Sequence, residues 1–272
     1  NKKNILKENK KKINEYKRFN EAYYDKNNPI INDSEFDEIK LNLIELEKKY
    51  KFLNDKDSPS NTVGYKPSKN FNKIPHKAPM LSLANAFSEE DLENFEKKIK
   101  NYLNQKDDFK IEYSAEPKID GISASLIFKN GNFIKGLSRG DGKEGEDITE
   151  NLRTIKDIPH SITNDSFPRE IDIRGEVFIQ NDDFKKINDK FANPRNAASG
   201  SLRQKDPKET KKIPLKFIAY TYGYESGMNI DNQNDFLKYL HIWGFKTNPY
   251  NKIIHGSKNL MRNYKEIEKI RD

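Results

Sequence analysis

The sequence contains no cysteine among its 272 residues. It therefore has no disulfide framework, no thiolate zinc site and no cysteine nucleophile. Histidine is scarce as well, and no two histidines have the short spacing that is typical of metal ligands. The four histidines are His76, His160, His241 and His255. The sequence thus offers no local cysteine or histidine metal motif.

Long apolar runs are also absent. No stretch approaches the roughly 20 apolar residues that span a bilayer, and the chain does not begin with a signal peptide. We therefore expect a soluble, cytoplasmic protein without a membrane partner. Because the sequence begins with Asn1 rather than methionine, we also expect a processed or trimmed chain.

Hydrophobic residues make up only 33% of the sequence, and charged residues make up 34%. Disordered chains have similar compositions, but they lack aromatic residues, and here the aromatic fraction is 11%. We therefore expect a folded chain in which aromatic rings supply much of the core. The formal net charge of +7 permits a phosphate-rich partner, although a bias in base composition explains the many lysines equally well.

Apolar residues spaced three and four apart predict two helices near the N-terminus. The second helix is predicted from about Asp33 to Tyr50. The apolar stripe of the first helix consists of Ile13, Tyr16, Phe19 and Tyr23. Residues 54–79 contain several prolines and no periodicity, so they are predicted to form a linker.

A third helix is predicted to start at Ser88, with Asp91 as its capping-box partner. Its predicted inward face consists of Leu92, Phe95, Ile99 and Leu103. From about residue 110 the apolar period changes to two, which is typical of strands. The predicted strands are 111–117, 122–128, 133–139, 171–179 and 215–222.

The dipeptide Asn130-Gly131 predicts a tight hairpin between the second and third of these strands. Further helices are predicted from about Asp183 and over 233–243, before Gly244. Hairpins mixed with scattered helices indicate an α+β fold rather than a doubly wound sheet.

The segment Glu116-Pro117-Lys118-Ile119-Asp120-Gly121 is the strongest candidate for chemistry. It places a lysine between two carboxylates, next to a glycine that allows close approach to the backbone. A nucleophilic lysine must be neutral, and at an unperturbed pKa of about 10.4 only roughly one amine in 2,500 is neutral at pH 7. Nearby cations or a divalent metal would have to increase that fraction. The alternative is a solvated ion pair.

The candidate cations come from other segments of the chain: Arg139, Lys143, Arg174, Arg195 and Arg203. Arg139-Gly140-Asp141-Gly142 follows the hairpin, and Gly145-Glu146-Asp147 is predicted to open a helix. A glycine-rich loop at a helix start can hold phosphate through backbone N–H groups. A polar turn followed by a helix cap explains the same residues.

Two further polar segments have open alternatives. On the strand 171–179, Arg174 and Glu176 lie on one face, so Glu176 is either a salt-bridge partner or a ligand of a ribose hydroxyl or a metal. The small, polar run 191–204 contains Arg195 and Arg203. It is either a turn and helix that contact phosphate or a flexible loop.

Together these segments resemble the adenylation module of bacterial NAD-dependent DNA ligases over nearly the whole chain. Lys-x-Asp-Gly alone is short and is found in all covalent nucleotidyltransferases, but five blocks in one order are highly specific. The blocks are Pro79-Met80-Leu81-Ser82-Leu83, Glu116-x-Lys118-x-Asp120-Gly121, Arg139-Gly140-Asp141-Gly142 with Gly145-Glu146-Asp147, Arg174-Gly175-Glu176-Val177-Phe178, and Asn193 to Gln204.

The resemblance implies two parts within the α+β fold. A small N-terminal helical subdomain that binds nicotinamide mononucleotide (NMN) would occupy residues 1–68. A mixed, mainly antiparallel-sheet nucleotidyltransferase domain would occupy residues 69–272. We expect the protein to be a monomer that uses NAD.

The resemblance also implies catalytic roles. Lys118 would attack the α-phosphorus of the adenylyl group of NAD, forming lysyl-AMP and releasing NMN. AMP would later pass to the 5′-phosphate of nicked double-stranded DNA in replication and repair. Asp120 would contribute near the reacting phosphate, and magnesium near Lys118 and Glu176 would neutralise developing charge.

Binding roles follow from the same resemblance. Adenine would be bound by Ser82, Leu83, Glu116 and the stacked ring of Tyr222. Arg139 and Glu176 would hold the ribose, and Arg195 and Arg203 would contact the phosphate or the nicked strand. The NMN half would be bound by Tyr23, Tyr24, Asp33, Ser34, Glu35, Phe36 and Asp37.

The sequence departs from the family pattern at several positions. Tyr24 stands where histidine is usual, Phe36 lacks the usual tyrosine hydroxyl, and Ala84 replaces an aspartate. Both aromatic rings keep a face for stacking on nicotinamide. The alternative is that Tyr23 and Phe36 only pack two helices together.

Some family segments are missing from the sequence. The family has about ten more residues before Phe191, and the chain ends before its last two nucleotidyltransferase motifs, each of which supplies a lysine. The cysteine zinc module is absent too, in agreement with the lack of cysteine. We therefore expect the chain to bind NAD, to adenylate itself inefficiently without those two lysines, and not to seal nicks by itself.

Two other functions remain as alternatives. An ATP-dependent polynucleotide ligase or capping-type nucleotidyltransferase would explain Lys-x-Asp-Gly but not the helical N-terminus. A non-catalytic, basic nucleic-acid-binding module would explain the net charge but not the ordered blocks, and its DNA binding would depend on salt and not on NAD.

Overall fold

The computed structural model describes residues 2–24, 33–53, 58, 71–187 and 189–271. The helices are α1 (Lys2–Tyr24), α2 (Asp33–Lys49), α3 (Glu89–Tyr102), α4 (Thr149–Leu152), α5 (Asn181–Phe184), α6 (Pro194–Leu202), α7 (Pro207–Lys211), α8 (Gln233–Ile242) and α9 (Ser257–Ile270). The strands are β1 (Lys73–Pro75), β2 (Glu112–Ala115), β3 (Ile122–Lys129), β4 (Asn132–Ser138), β5 (Glu144–Glu146), β6 (Glu170–Phe178), β7 (Lys216–Glu225) and β8 (Lys252–His255). All paired strands are antiparallel, and the α+β prediction is confirmed.

The first two helices pack against each other through apolar residues, three of which belong to the predicted stripe of the first helix, whereas its fourth member, Tyr23, lies outside the described side chains. Ile13, Tyr16 and Phe19 of α1 are buried against Phe36 and Leu43 of α2. The rings of Tyr16 and Phe36 stack with centroids 5.3 Å apart. These residues form a hydrophobic cluster of their own, separate from the core of the sheet.

The main sheet has four strands in the order β4-β3-β6-β7. Its first two strands form the predicted hairpin, in which Asn130 and Gly131 have φ values of 49° and 76°. Positive φ at both positions is what a two-residue type I′ turn requires. The Asn-Gly prediction is therefore confirmed.

Alternation along the strands separates a core face from a polar face. Leu126 and Phe128 of β3 lie opposite Ile173 and Ile171 of β6, and all four side chains are fully buried. Phe236 of α8 belongs to the same core. On the other face, Ser123 lies opposite Glu176, and this polar face carries the candidate site.

Two small sheets surround the main one. β1 pairs with β5, and β2 pairs with β8. The pairing of β1 with β5 corrects a prediction. Gly145 and Glu146 were expected to open a helix, but both are residues of the strand β5. The helix α4 begins only at Thr149, whose backbone N–H is bound by the Asp147 carboxylate at 3.2 Å.

Two helix predictions also need correction. The capping box of Ser88 and Asp91 is present, but the face of α3 that was expected to be buried is half open, with Phe95 50% exposed and Leu103 49% exposed. The helix expected from Asp183 is only the single turn α5. The apolar residues of α3 have the expected helical spacing, but no neighbouring element among the described residues covers them completely.

The predicted linker and domain boundary fall partly outside the described residues. Of residues 54–79, only residue 58 and residues 71–79 are described, and the latter include β1. The division after residue 68 therefore stays a prediction. No helix in the described part of the chain has both the length and the apolar character needed to cross a membrane.

Candidate active site

The predicted lysine lies in a loop between β2 and β3. Lys118 is exposed near the middle of this loop, and the loop ends at Gly121 directly on strand β6. A Cβ atom at Gly121 would lie 2.3 Å from the carbonyl oxygen of Val177 and 2.9 Å from Cγ of Glu176. The glycine of the Lys-x-Asp-Gly motif is thus required because only a residue without a side chain permits this approach.

Behind the loop, Asn248 contacts the backbone immediately before the lysine. Its Nδ2 donates to the carbonyl oxygen of Pro117 at 3.4 Å, and its side chain is buried. Nothing in the local sequence around Asn248 indicated this role. The contact spans more than a hundred residues, so only the fold brings the two together.

Glu176 is a buried carboxyl group of the site, on the polar face of the sheet. Its side chain is 8% exposed, and Oε2 accepts a hydrogen bond from Ser123 Oγ at 3.0 Å. Burial raises the pKa of Glu176 to about 7, although the positive charges of Arg195, Lys118 and Arg139 and the bond from Ser123 oppose this shift. Four predicted site residues therefore interact electrostatically across the loop and the sheet.

The two predicted phosphate-contacting arginines lie at opposite ends of α6. Arg195 is at its N-terminus and forms an ion pair with Asp120, with 3.1 Å between Nη1 and Oδ1. Arg203 follows the last residue of α6, and its Nε lies 3.2 Å from Oε2 of the buried Glu146. The run 191–204 is therefore a turn and an ordered helix, not a flexible loop, and Asn193 caps the helix by accepting from the N–H of Asn196 at 2.7 Å.

These arginines line an open pocket beside Glu176. Its cavity volume is about 70 Å³, well below the roughly 300–1,000 Å³ of sites that enclose a whole small molecule, so it suits one group of a ligand. The residues that line it are Ile122, Ser123, Ser138, Arg139, Gly140, Glu146, Ile148, Arg195, Ser199, Leu202 and Arg203. Three guanidinium groups and several hydroxyl groups suit an anionic, phosphate-bearing ligand.

Glu116 is held at one of its two oxygens. Oε1 accepts from Ser114 Oγ at 2.9 Å and from Gln233 Nε2 at 2.9 Å. Gln233 is the first residue of α8, and it was not among the predicted site residues. The structure thus brings the predicted carboxylate together with a residue that sequence reasoning missed.

Tyr222 does not lie where the prediction required it. Arg174 pairs with Thr221 and Gly175 pairs with Ala219, so Tyr220 is the extra residue of a β-bulge in β7. The bulge places Tyr222 opposite the core residue Ile173, with its ring centroid 4.7 Å from that of Phe236. The bulged neighbour Tyr220 is the tyrosine on the site face, with its hydroxyl 3.5 Å from Glu176 Oε2.

Burial and the charge of Glu176 raise the pKa of the Tyr220 phenol above its ordinary value. The hydroxyl is therefore a neutral donor at physiological pH. A tyrosine two residues earlier than the predicted one could not be chosen from the sequence, because strict alternation puts both rings on the same face and only the bulge separates them.

Arg174, another predicted cation, and the predicted adenine-binding segment have other partners. Arg174 is buried, pairs with Asp172 at 2.9 Å and donates to the carbonyl oxygen of Pro79 at 2.9 Å, so it anchors the 78–80 segment rather than facing Lys118. Further along this segment, Ser82 accepts a bond from Lys40 Nζ at 3.2 Å, and Leu83 is 71% exposed. The predicted adenine-binding pair therefore lies at the surface.

The Arg139-Gly140-Asp141-Gly142 segment forms a turn in which the carboxylate of Asp141 binds backbone N–H groups of the residues that follow. Asp141 Oδ1 accepts from the backbone N–H groups of Lys143 and Glu144, each at 2.9 Å. Those two donors are consequently occupied within the turn. This geometry favours the polar-turn interpretation over a backbone phosphate cradle.

Only part of the predicted NMN site can be described. The side chains of Tyr23, Tyr24, Asp33, Ser34 and Asp37 lie outside the described set. Glu35 is exposed, whereas Phe36 is buried on Tyr16. The packing alternative is therefore supported for Phe36.

The described side chains include no group of three or more His, Asp or Glu residues that could hold a metal ion by themselves. Of the carboxyl groups near the pocket, Glu176 is buried, the buried Glu146 is paired with Arg203, and Asp120 is paired with Arg195. Magnesium commonly uses one or two protein carboxylates together with substrate phosphates. The residues fit that kind of site, and not a cage made by the protein alone.

Comparison with known families agrees with the resemblance seen in the sequence. Residues 68–272 match a family model described as the NAD-dependent DNA ligase adenylation domain. Residues 2–64 match a model described as the DNA ligase-like, N-terminal NAD+-binding domain. The chain belongs to the NAD-dependent DNA ligase adenylation-domain family.

Individual relatives are named DNA ligase. The chain is 69% identical to that of Pelagibacter ubique over 261 residues, covering 96% of this chain and 39% of the relative. It is 44% identical to that of Parvibaculum lavamentivorans over 243 residues, covering 86% and 34%. It is 43% identical to that of Bradyrhizobium sp. over 257 residues, covering 92% and 36%. The chain thus spans little more than a third of the length of these relatives.

Proposed function

We propose that this chain carries out the adenylation step of an NAD-dependent DNA ligase. Nζ of Lys118 attacks the phosphorus of the adenylyl group of NAD, forming a P–N bond. The P–O bond to the NMN phosphate breaks, so NMN leaves with the bonding electron pair, and the exposed amine releases its proton to solvent. The observation that carries the proposal is the lysine loop, which packs through Gly121 on buried Glu176 and pairs through Asp120 with Arg195. The charges of Lys118, Arg139 and Arg195 all act on Glu176.

The described geometry supports specific binding roles. Glu116 would accept from adenine, and Arg139 with Glu176 would hold the ribose. The stacking role predicted for Tyr222 is better suited to Tyr220, whose ring lies on the site face. An aromatic ring offers a base a large apolar contact surface in addition to its stacking energy.

The pocket beside Glu176 would hold the phosphates. Arg139, Arg195 and Arg203 line it and would stabilise the negative charge that develops as the P–O bond breaks. Asp120 would orient Arg195 through their ion pair. Magnesium, bound with the substrate phosphates near Glu176, would supply further charge neutralisation.

The later partner would be nicked double-stranded DNA, in replication and repair. Arg195 and Arg203 would contact it once AMP has been loaded on Lys118. We further propose that the protein acts as a monomer, that residues 1–68 form the NMN-binding part, and that residues 69–272 form the nucleotidyltransferase part.

Mass spectrometry of the intact chain tests the proposed donor. After incubation with magnesium and either NAD or ATP, the chain should gain one adenylyl group with NAD only, and Lys118→Ala should gain none. A gain with ATP would favour the ATP-dependent alternative. No gain with NAD would contradict the proposal, and DNA binding that is unaffected by NAD would then favour the basic binding module.

A further inference from the structure

We propose that Gln233 is a specificity-determining, positioning residue that makes the nucleotide site select a 6-aminopurine over a 6-oxopurine. It would act by holding Glu116 as a hydrogen-bond acceptor for the exocyclic amine of the base. The inference rests on the proposed function, because it concerns the same adenylyl group.

The side-chain amide of Gln233 links two segments of the site. Its Nε2 lies 2.9 Å from Oε1 of Glu116 and 2.6 Å from the carbonyl oxygen of Tyr220. An amide NH₂ group has two hydrogens, so one nitrogen can donate to both acceptors at once. Gln233 therefore fixes the position of the carboxylate relative to the bulged tyrosine.

The arrangement at Glu116 leaves one oxygen for a ligand. The donors from Ser114 and Gln233 both go to Oε1, and neither uses Oε2. An ionised carboxylate can only accept hydrogen bonds. With Oε1 occupied from the protein side, Oε2 is the acceptor available to a base.

An acceptor fixed in this place discriminates between purines by their group at position 6. The amine of adenine donates a hydrogen bond, whereas the 6-oxo oxygen of hypoxanthine is an acceptor and meets the carboxylate with repulsion. Sites that pair a polar group with a substrate NH or OH reject the analogue that lacks it, because the group is then left unpaired. Glu116 is half-buried, so we expect a preference of about tenfold and not the larger ones of fully buried groups. Gln233 also binds the backbone carbonyl of Tyr220. The ring of Tyr220 is proposed to stack on the same base, so Gln233 would position both groups that contact it.

The test compares two dinucleotides and two neighbouring variants. The dissociation constants of NAD and of nicotinamide hypoxanthine dinucleotide are measured by calorimetry for the wild type, Gln233→Glu and Asn232→Ala. Gln233→Glu has nearly the same shape but lacks both donor hydrogens and adds a second carboxylate. Asn232 caps the same helix, accepting from the N–H of Asp235 at 2.9 Å, so Asn232→Ala controls for a general loosening of α8.

We expect the wild type to prefer NAD by at least about tenfold, the effect of one hydrogen bond of roughly 1.4 kcal/mol. Gln233→Glu should lose most of this preference, and Asn232→Ala should keep it even if its melting temperature falls. If Gln233→Glu does not fold, Gln233→Met supplies a donor-free side chain of similar length for the same comparison.

Two results would overturn the inference. One is a wild type that binds the two dinucleotides equally, and the other is a folded Gln233 variant that keeps the wild-type preference. Both are distinct from failure of the proposed function, which would be seen as a wild-type chain that gains no adenylyl group from NAD.

Discussion

Gly121 illustrates, at the scale of single residues, how closely the catalytic loop lies on the sheet. Gly121→Ala would bring a Cβ to 2.3 Å from the Val177 carbonyl oxygen, a contact that the rigid β6 backbone cannot relieve. Overpacking of this kind costs about 1–3 kcal/mol. We expect a loss of unfolding free energy in this range, measured with urea, together with a loss of adenylyl transfer.

Gly227→Ala is the matched control for that substitution. Gly227 also has a constraint, a φ of +83°, but nothing lies within 4 Å of its hypothetical Cβ. It should lose about 1 kcal/mol from backbone strain and keep adenylyl transfer. Equal activity in the two variants would contradict the proposed packing of the loop on the site.

The buried carboxyl of Glu176 makes stability depend on pH. Burial raises its pKa from an ordinary 4.5 to about 7. Because the folded state then binds the proton more tightly than the unfolded state, this group causes stability to fall as the pH rises from about 4.5 to about 7. The loss of unfolding free energy reaches about 3 kcal/mol above the pKa of the folded state. Below the pKa of the unfolded state there is no loss.

Glu176→Gln removes the titration. Denaturant unfolding should show the variant and the wild type with similar stability at pH 4.5. The variant should be more stable than the wild type at pH 8, by up to about 3 kcal/mol. A difference between the two proteins that does not grow with pH would contradict the assignment.

At the scale of elements, the bulge in β7 gives its two tyrosines different roles. Tyr220→Leu should weaken NAD binding about tenfold, since an aromatic contact of about 1.5 kcal/mol is lost on the site face. Tyr222→Leu should instead lower the unfolding free energy by about 1–3 kcal/mol through its lost packing on Phe236. Calorimetry with NAD and urea unfolding of both variants would separate these effects, and the reverse assignment would contradict the bulge.

The same strand shows which parts of the structure the sequence can predict. Local signals worked where the determining contacts are local: Asn130-Gly131 forms its hairpin, and Ser88 and Asp91 form their capping box. Helical spacing also identified the residues of α1 and α2 that are buried against each other. They failed at Tyr222, because a bulge depends on how β7 pairs with β6 and leaves no mark in the apolar pattern.

The residues of the candidate site also divide into those that a contiguous motif identifies and those that only the fold brings together. The resemblance supplied Lys118, Glu116 and Glu176, because their motifs are contiguous in the sequence. It did not supply Gln233 or Asn248, which reach the lysine loop from more than a hundred residues away. Single polar residues of this kind have no surrounding pattern, so only the folded structure identifies them.

At the scale of the whole molecule, the described residues have two separate hydrophobic clusters. Leu43 is fully buried in the helix pair, and Phe128 is fully buried in the sheet core. Leu43→Ala should cost about 2–5 kcal/mol and Phe128→Ala about 3–5 kcal/mol. We expect hydrogen exchange to accelerate in α1 and α2 for the first variant and across β3, β4 and β6 for the second. Acceleration of both regions in both variants would instead indicate one cooperative unit.

The central claim is that Lys118 becomes covalently bound to AMP. The most direct measurement is tandem mass spectrometry of peptides from the chain after incubation with NAD and magnesium. We predict an adenylyl group on the peptide that contains Lys118, attached to that lysine through an acid-labile P–N bond. An adenylyl group on a different residue, or none on the Lys118 peptide, would contradict the covalent role of Lys118.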